Sequence, residues 1–83
     1  VTTLPTLHLN GTGRDTLREE YHHAYKSVCV ARDAFCDATF NARDYYPQGP
    51  AAFSQARTER DAVLAHFGAI KQYLEAHLLH LTA

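Results

Sequence analysis

Six histidines and two cysteines in 83 residues are the side chains through which this chain could do chemistry, and metal binding is the chemistry they suggest first. The sharpest spacing is Glu20-x-x-His23, which on a helix sets a carboxylate and an imidazole one turn apart, as in carboxylate-bridged di-iron bundles. Such a centre needs inward-facing Glu and His from several helices. Glu20 and His23 instead flank the apolar Tyr21 and Ala24, and the second half of the chain has no matching Glu-x-x-His. His77 and His80 are also one turn apart, with Glu75 nearby, but two ligands near a fraying helix end hold a metal weakly. They read better as solvated histidines where the helix dipole favours a cation. No metal and no cofactor are expected, and a metal-binding carboxylate/His bundle is kept as the alternative.

Covalent chemistry has less support. Ser27 and Ser54 lack any flanking nucleophile motif, and neither Cys29 nor Cys36 has a recognisable His-bearing context. Asn10-Gly11-Thr12-Gly13 lacks both the Lys-Ser/Thr ending of a phosphate loop and a preceding buried strand; an anion at the following helix N-terminus is its remaining use. The chain is therefore not expected to be an enzyme. The better candidate is the segment Arg43, Asp44, Tyr45 and Tyr46, which puts a charge pair beside two aromatics, and Tyr and Arg are enriched in binding hot spots. The competing role is structural: one or both tyrosines fold back to cap the core while Arg43 and Asp44 close the turn. One tyrosine in and one out satisfies both.

Two apolar stripes must position these residues. Leu17, Tyr21, Ala24, Val28, Ala31, Phe35, Ala38 and Ala42 follow one another in steps of three and four, as do Phe53, Ala56, Arg60, Val63, Phe67, Ile70, Leu74, His77 and Leu81. That alternation keeps each set on one side of an α-helix. The pattern predicts an extended arm over residues 1–12, a helix over 13–40, a loop over 41–50 and a second helix over 51–80. Thr12 is the expected N-cap of the first helix, bonding the amide of Asp15. Pro47 should hold Tyr46 extended, and Pro50 suits the start of the second helix. Gly68, inside that helix at a cost of about 1 kcal/mol, suggests close approach of another helix. In the arm, Leu7 and Leu9 should share one face against the bundle.

The connection is short, so the helices should be antiparallel neighbours: an all-α, single-domain helical hairpin. Leu17, Tyr21, Val28, Phe35, Phe53, Val63, Phe67, Ile70, Leu74 and Leu81 are its expected packing residues. Arg60 and His77 interrupt the second stripe, and polar residues at such positions commonly fix register; Arg60 could reach Asp33 or Asp37, or extend outward along its methylenes. Tyr25, Cys29 and Cys36 widen the first stripe, and Leu64, Tyr73 and Leu78 the second, beyond what two helices can cover. A homodimeric four-helix bundle is predicted, or a standing groove for a partner.

The formal charge of −1, from eight Lys and Arg against nine Asp and Glu, offers no general attraction to nucleic acid or to an anionic membrane. A nucleic-acid-associated regulatory module is the weaker alternative. No apolar run approaches the roughly 20 residues that span a bilayer. Cys29 and Cys36, seven residues apart on one helix, would lie about 10.5 Å apart, too far for a disulfide; free thiols and the lack of a secretory pattern point to the cytoplasm. Loss of an initiator methionine ahead of Val1, or trimming, accounts for a chain without methionine.

The segment His8-Leu9-Asn10-Gly11-Thr12 ahead of a long amphipathic helix, followed by Asn41-Ala42-Arg43-Asp44-Tyr45-Tyr46-Pro47-Gln48-Gly49, resembles a group of short proteins of tailed bacteriophages and prophages. The likeness covers both turn regions and the helical plan, and Gly13 departs from the serine or other helix-starting residue expected there. The resemblance implies a non-enzymatic accessory protein of the host cytoplasm that acts by protein-protein interaction, with a host protein as its partner. It supplies no catalytic residues.

Overall fold

The computed structural model describes residues 2–82. They form helix α1, Arg14–Asp37, and helix α2, Ala52–Thr82, joined by two 3-10 turns, Ala42–Asp44 and Tyr46–Gln48. No strand occurs among the described residues, and α1 packs along α2 as an antiparallel hairpin. Phe35 meets Phe67 with ring centroids 5.8 Å apart near the loop, and Tyr21 stacks on His77 at 4.5 Å toward the other end. These pairs set the register of the seam.

Burial is uneven along that seam. Leu74, His77 and Leu81 are buried, whereas α1 contributes no fully buried residue; Leu17, Tyr21, Val28, Phe35, Phe53 and Phe67 are half-buried. Val63 and Ile70, expected in the packing stripe, are exposed at 40% and 46%. Two helices in contact bury only a narrow seam, and these positions lie beside it. The tight core is thus at the end of the molecule away from the loop. The arm crosses there: the carbonyl of Pro5 accepts a bond from Nε2 of His80 at 2.7 Å, and Leu4, Pro5 and Leu7 are half-buried. Leu9 does not share the face of Leu7 but is fully exposed, because the chain turns there, with the Gly11 amide bonded to the His8 carbonyl.

Both ends of α1 differ from the sequence pattern. Its N-cap is Gly13, in an extended conformation and without a side-chain cap bond; Thr12 does not cap. The helix ends at Asp37, three residues early, where Ala38 turns extended and its amide bonds to the Phe35 carbonyl. Helix α1 has no cation in its own last turn. Its carbonyl need is met from across the seam, where Arg60 of α2 donates from Nη2 to the Cys36 carbonyl at 3.4 Å. At the opposite end Arg14 of α1 donates from Nη1 to the Leu81 carbonyl at 3.4 Å. Each helix therefore supplies an arginine to the carbonyl-rich end of the other, the end where a helix dipole favours a cation.

Two further expectations fail for local reasons. Pro47 does not hold Tyr46 extended: both belong to the second 3-10 turn, where the proline's missing N–H is not needed in a first turn. The turn closes at Gly49, whose φ of +114° is a conformation that side chains oppose. Gly68 faces no close helix, since a Cβ there would meet nothing within 4 Å.

Candidate functional site

The loop end is built on aromatic rings. Phe40, in the extended stretch after α1, stacks on Phe53 at the start of α2 with centroids 5.0 Å apart, and Tyr45 packs against both at 5.8 and 6.1 Å. Two arginines of α2 close over this cluster. Arg57 lies 4.9 Å from the Phe53 ring, and Arg60 lies 5.3 Å from Phe35 and 5.1 Å from Phe40. Its planar guanidinium is held between two π-faces, while its bond to Cys36 fixes it to the end of α1. Arg60 does not reach Asp33 or Asp37 by any ion pair in the structure.

Tyr45 is therefore the tyrosine that caps the core, and Tyr46, 69% exposed, is the one held outward. Arg43 and Asp44 occupy the first 3-10 turn, both exposed. That turn closes through its backbone, with the Asp44 amide on the Asn41 carbonyl and the Tyr45 amide on the Ala42 carbonyl. The four residues singled out in the sequence thus divide: Arg43, Asp44 and Tyr46 are exposed, and Tyr45 packs inward against Phe40 and Phe53. An open cleft of about 320 Å³ adjoins the cluster, bordered by Phe35, Phe40, Tyr45, Glu59, Arg60 and Val63. Phe40 was not marked by the stripes, because a helix to residue 40 would carry it off the seam. Its signal was its place between a helix and the breaker Asn41, where an aromatic can fold back.

Other polar groups are spread along the molecule. Glu20 and His23 are exposed on α1, and among the described residues no three His, Cys, Asp or Glu come together. Neither His77 nor His80 stands free at the helix end: His80 is half-buried, with its Nε2 on the Pro5 carbonyl. His77 is 2% exposed, sandwiched by Tyr21 and Tyr73, and its Nδ1 donates to the Tyr73 carbonyl at 2.9 Å. Cys29 is half-buried and Cys36 exposed, and both are free thiols. On one broad face Tyr25 donates to Glu75 at 2.9 Å, with the Lys71 ammonium 5.9 Å from the Tyr25 ring. This bond, then desolvation, then the Glu75 charge raise the Tyr25 phenol above its usual range, since losing its proton would set two anions side by side.

No helix among the described residues is long and apolar enough to cross a membrane. Comparison of the chain with protein-family models, with curated proteins and with solved structures finds no match. The functional reading therefore rests on the chain's own geometry.

Proposed function

We propose that this protein is a non-enzymatic helical hairpin that acts by binding another protein through the loop between its helices. The observation that carries the reading is the division of labour between two adjacent tyrosines. Tyr45 is locked into the aromatic cluster, and it fixes Tyr46, Arg43 and Asp44 in an exposed position. A rigid, exposed tyrosine beside an arginine presents contact area without the entropic cost of ordering a mobile loop. With the resemblance of both turn regions to small phage proteins, the partner we propose is a protein of a bacterial host, met in its cytoplasm. We further propose that the hairpin pairs with a second copy to complete a four-helix bundle, which leaves the loop at the bundle's end free.

A photo-crosslinking amino acid at position 46, expressed in bacterial cells, tests the loop reading. A discrete adduct with one host protein is expected at position 46 and not at the exposed helix position Glu19. Adducts that are absent, or identical at both positions, would remove the loop from the mechanism.

A further inference from the structure

We propose that one broad face of the hairpin, built from Ser27, Ala31, Ala34 and Ala38 of α1 beside Val63, His66, Ile70 and Tyr73 of α2, is the surface on which a second copy of this chain docks. The inference rests on the self-association proposed above and specifies its face and symmetry.

The two broad faces differ in kind. On one, Tyr25 bonds Glu75, Lys71 lies over Tyr25, and Arg32 and Gln72 border the same groove. The α1 row at 27, 31, 34 and 38 and the α2 row at 63, 66, 70 and 73 repeat in steps of three and four, so each holds to one side of its helix. Ala38 and Val63 line the same cleft, which places both rows on the other face. None of the eight positions is Asp, Glu, Lys or Arg; charge enters only beyond the rows, at Glu59, which borders the same cleft, and at Glu20, which continues the α1 spacing. Val63, Ile70 and Tyr73 are 40%, 46% and 49% exposed, and Ala31, Ala34 and Ala38 are exposed as well. The first three are apolar side chains set next to one another along α2 and open to water, whereas Val30 and Leu79, though more exposed, belong to neither row.

The area argues for an occupant of the molecule's own size. The chain extends 61 × 23 × 18 Å with a radius of gyration of 18.4 Å, where a compact chain of this length has about 12 Å. Its accessible surface is 6292 Å², against about 5000 Å² for a folded monomer of this mass. Covering that surplus on two copies would bury about 2600 Å², the range of obligate homodimers. The fully buried apolar core meanwhile consists of Leu74 and Leu81 alone among the described residues, too little for so small a chain to be stable by itself.

The relief of the face selects a second copy over another helix. A ridge of large side chains on α2 runs beside a shallow row of small ones on α1, and alanines allow close helix approach. A two-fold axis along the seam lays α1 of each copy antiparallel on α2 of its partner, so that each ridge enters the other's alanine row. Because Phe35 faces Phe67 and Tyr21 faces His77 within one copy, position 34 lies level with position 66. In the dimer Ala34 of each copy then faces the partner's His66. An isologous interface requires this self-complementarity, and a four-helix bundle with all neighbours antiparallel results.

Sedimentation equilibrium of the wild type, Ile70→Glu and Leu79→Glu tests the face. Leu79 is as apolar and is 72% exposed but lies outside both rows. We expect a wild-type dimer, dissociation raised by more than about tenfold in Ile70→Glu, and no such change in Leu79→Glu. A second measurement does not depend on the folding of a charged variant. In a background with Cys29→Ala and Cys36→Ser, Ala34→Cys and His66→Cys chains are mixed and oxidised, and a disulfide-linked pair of one chain of each kind is expected. A wild-type monomer at micromolar concentration overturns both the face and the self-association. A wild-type dimer that tolerates Ile70→Glu and forms no 34–66 link leaves self-association standing and overturns this face.

Discussion

The ring of Tyr21 lies on the imidazole of His77, with centroids 4.5 Å apart and planes 11° from parallel, and this contact joins α1 to the most buried polar side chain of α2. His77 spends its Nδ1 proton on its own helix, at the Tyr73 carbonyl, so its ring faces serve as packing surface between Tyr21 and Tyr73. Truncation would open a cavity and separate the two tyrosines from their shared partner. His77→Ala should therefore cost about 2 to 4 kcal/mol, a large part of the stability of so small a domain. Urea unfolding followed by circular dichroism measures it; a loss below about 0.5 kcal/mol would mean the stack is incidental.

Arg60 serves both as an aromatic clamp, over Phe35 and Phe40, and as the donor to the Cys36 carbonyl. A lysine keeps the charge but loses the flat guanidinium. Arg60→Lys should destabilise the hairpin by about 1 kcal/mol and Arg60→Ala by about 1 to 2 kcal/mol. Equal stability of wild type and Arg60→Lys under the same urea titration would show that charge alone suffices.

Adjacent tyrosines should give opposite results. Tyr45→Ala removes a ring packed on Phe40 and Phe53 and should cost about 2 kcal/mol or more. Tyr46→Ala removes an exposed ring and should leave stability within about 0.5 kcal/mol while abolishing partner capture. Thermal unfolding of the two variants side by side is the check; comparable losses would contradict the assignment of anchor and presented residue.

For Tyr25, the folded state holds the phenol proton more tightly than the unfolded chain does, owing first to its bond with Glu75. The stabilisation is complete below the unfolded tyrosine value near pH 10 and is lost as pH rises through the higher folded value. Glu75→Gln should lower the Tyr25 titration toward the ordinary range. Phenolate absorbance against pH reads it, with Tyr25→Phe identifying the transition; superimposable wild-type and Glu75→Gln curves would refute the coupling.

Gly68 sits inside α2 with open space where a side chain would begin. Gly68→Ala should stabilise the protein by about 1 kcal/mol through helix propensity. A drop in melting temperature would show that the glycine is needed by a neighbour absent from the isolated hairpin.

The two helices and their pairing were legible because the apolar spacing of Tyr21, Val28 and Phe35 against Phe67 and Leu74 repeats at the helical period, and the connection between them is rich in breakers. The aromatic loop was legible as a composition, though not as the split between Tyr45 and Tyr46, which depends on where Phe40 and Phe53 stand. The early end of α1 was not, because Ala38 continues the periodic pattern while the backbone has already turned extended. Nor was the closure at the far end, where Pro5 meets His80. Contacts between residues that distant in the chain leave no local periodicity to read. The solvated reading of His77 and His80 failed for the same reason: the arm and Tyr21, which surround them, lie in another part of the sequence.

The reciprocal arginines restrict how the hairpin can move. Arg14 reaches forward to the last turn of α2 and Arg60 reaches across to the last turn of α1, so a slide of one helix along the other carries both guanidiniums off their carbonyls together. A shift of one helical turn, about 5.4 Å, would also part Tyr21 from His77 and Phe35 from Phe67. Splaying, with the loop as hinge, breaks the contacts in sequence from the far end instead. That far end is also the most buried part of the seam, at Leu74, His77 and Leu81, so the hairpin should resist opening as well as shear, and a partner bound at the loop would meet the pivot, where displacement is least.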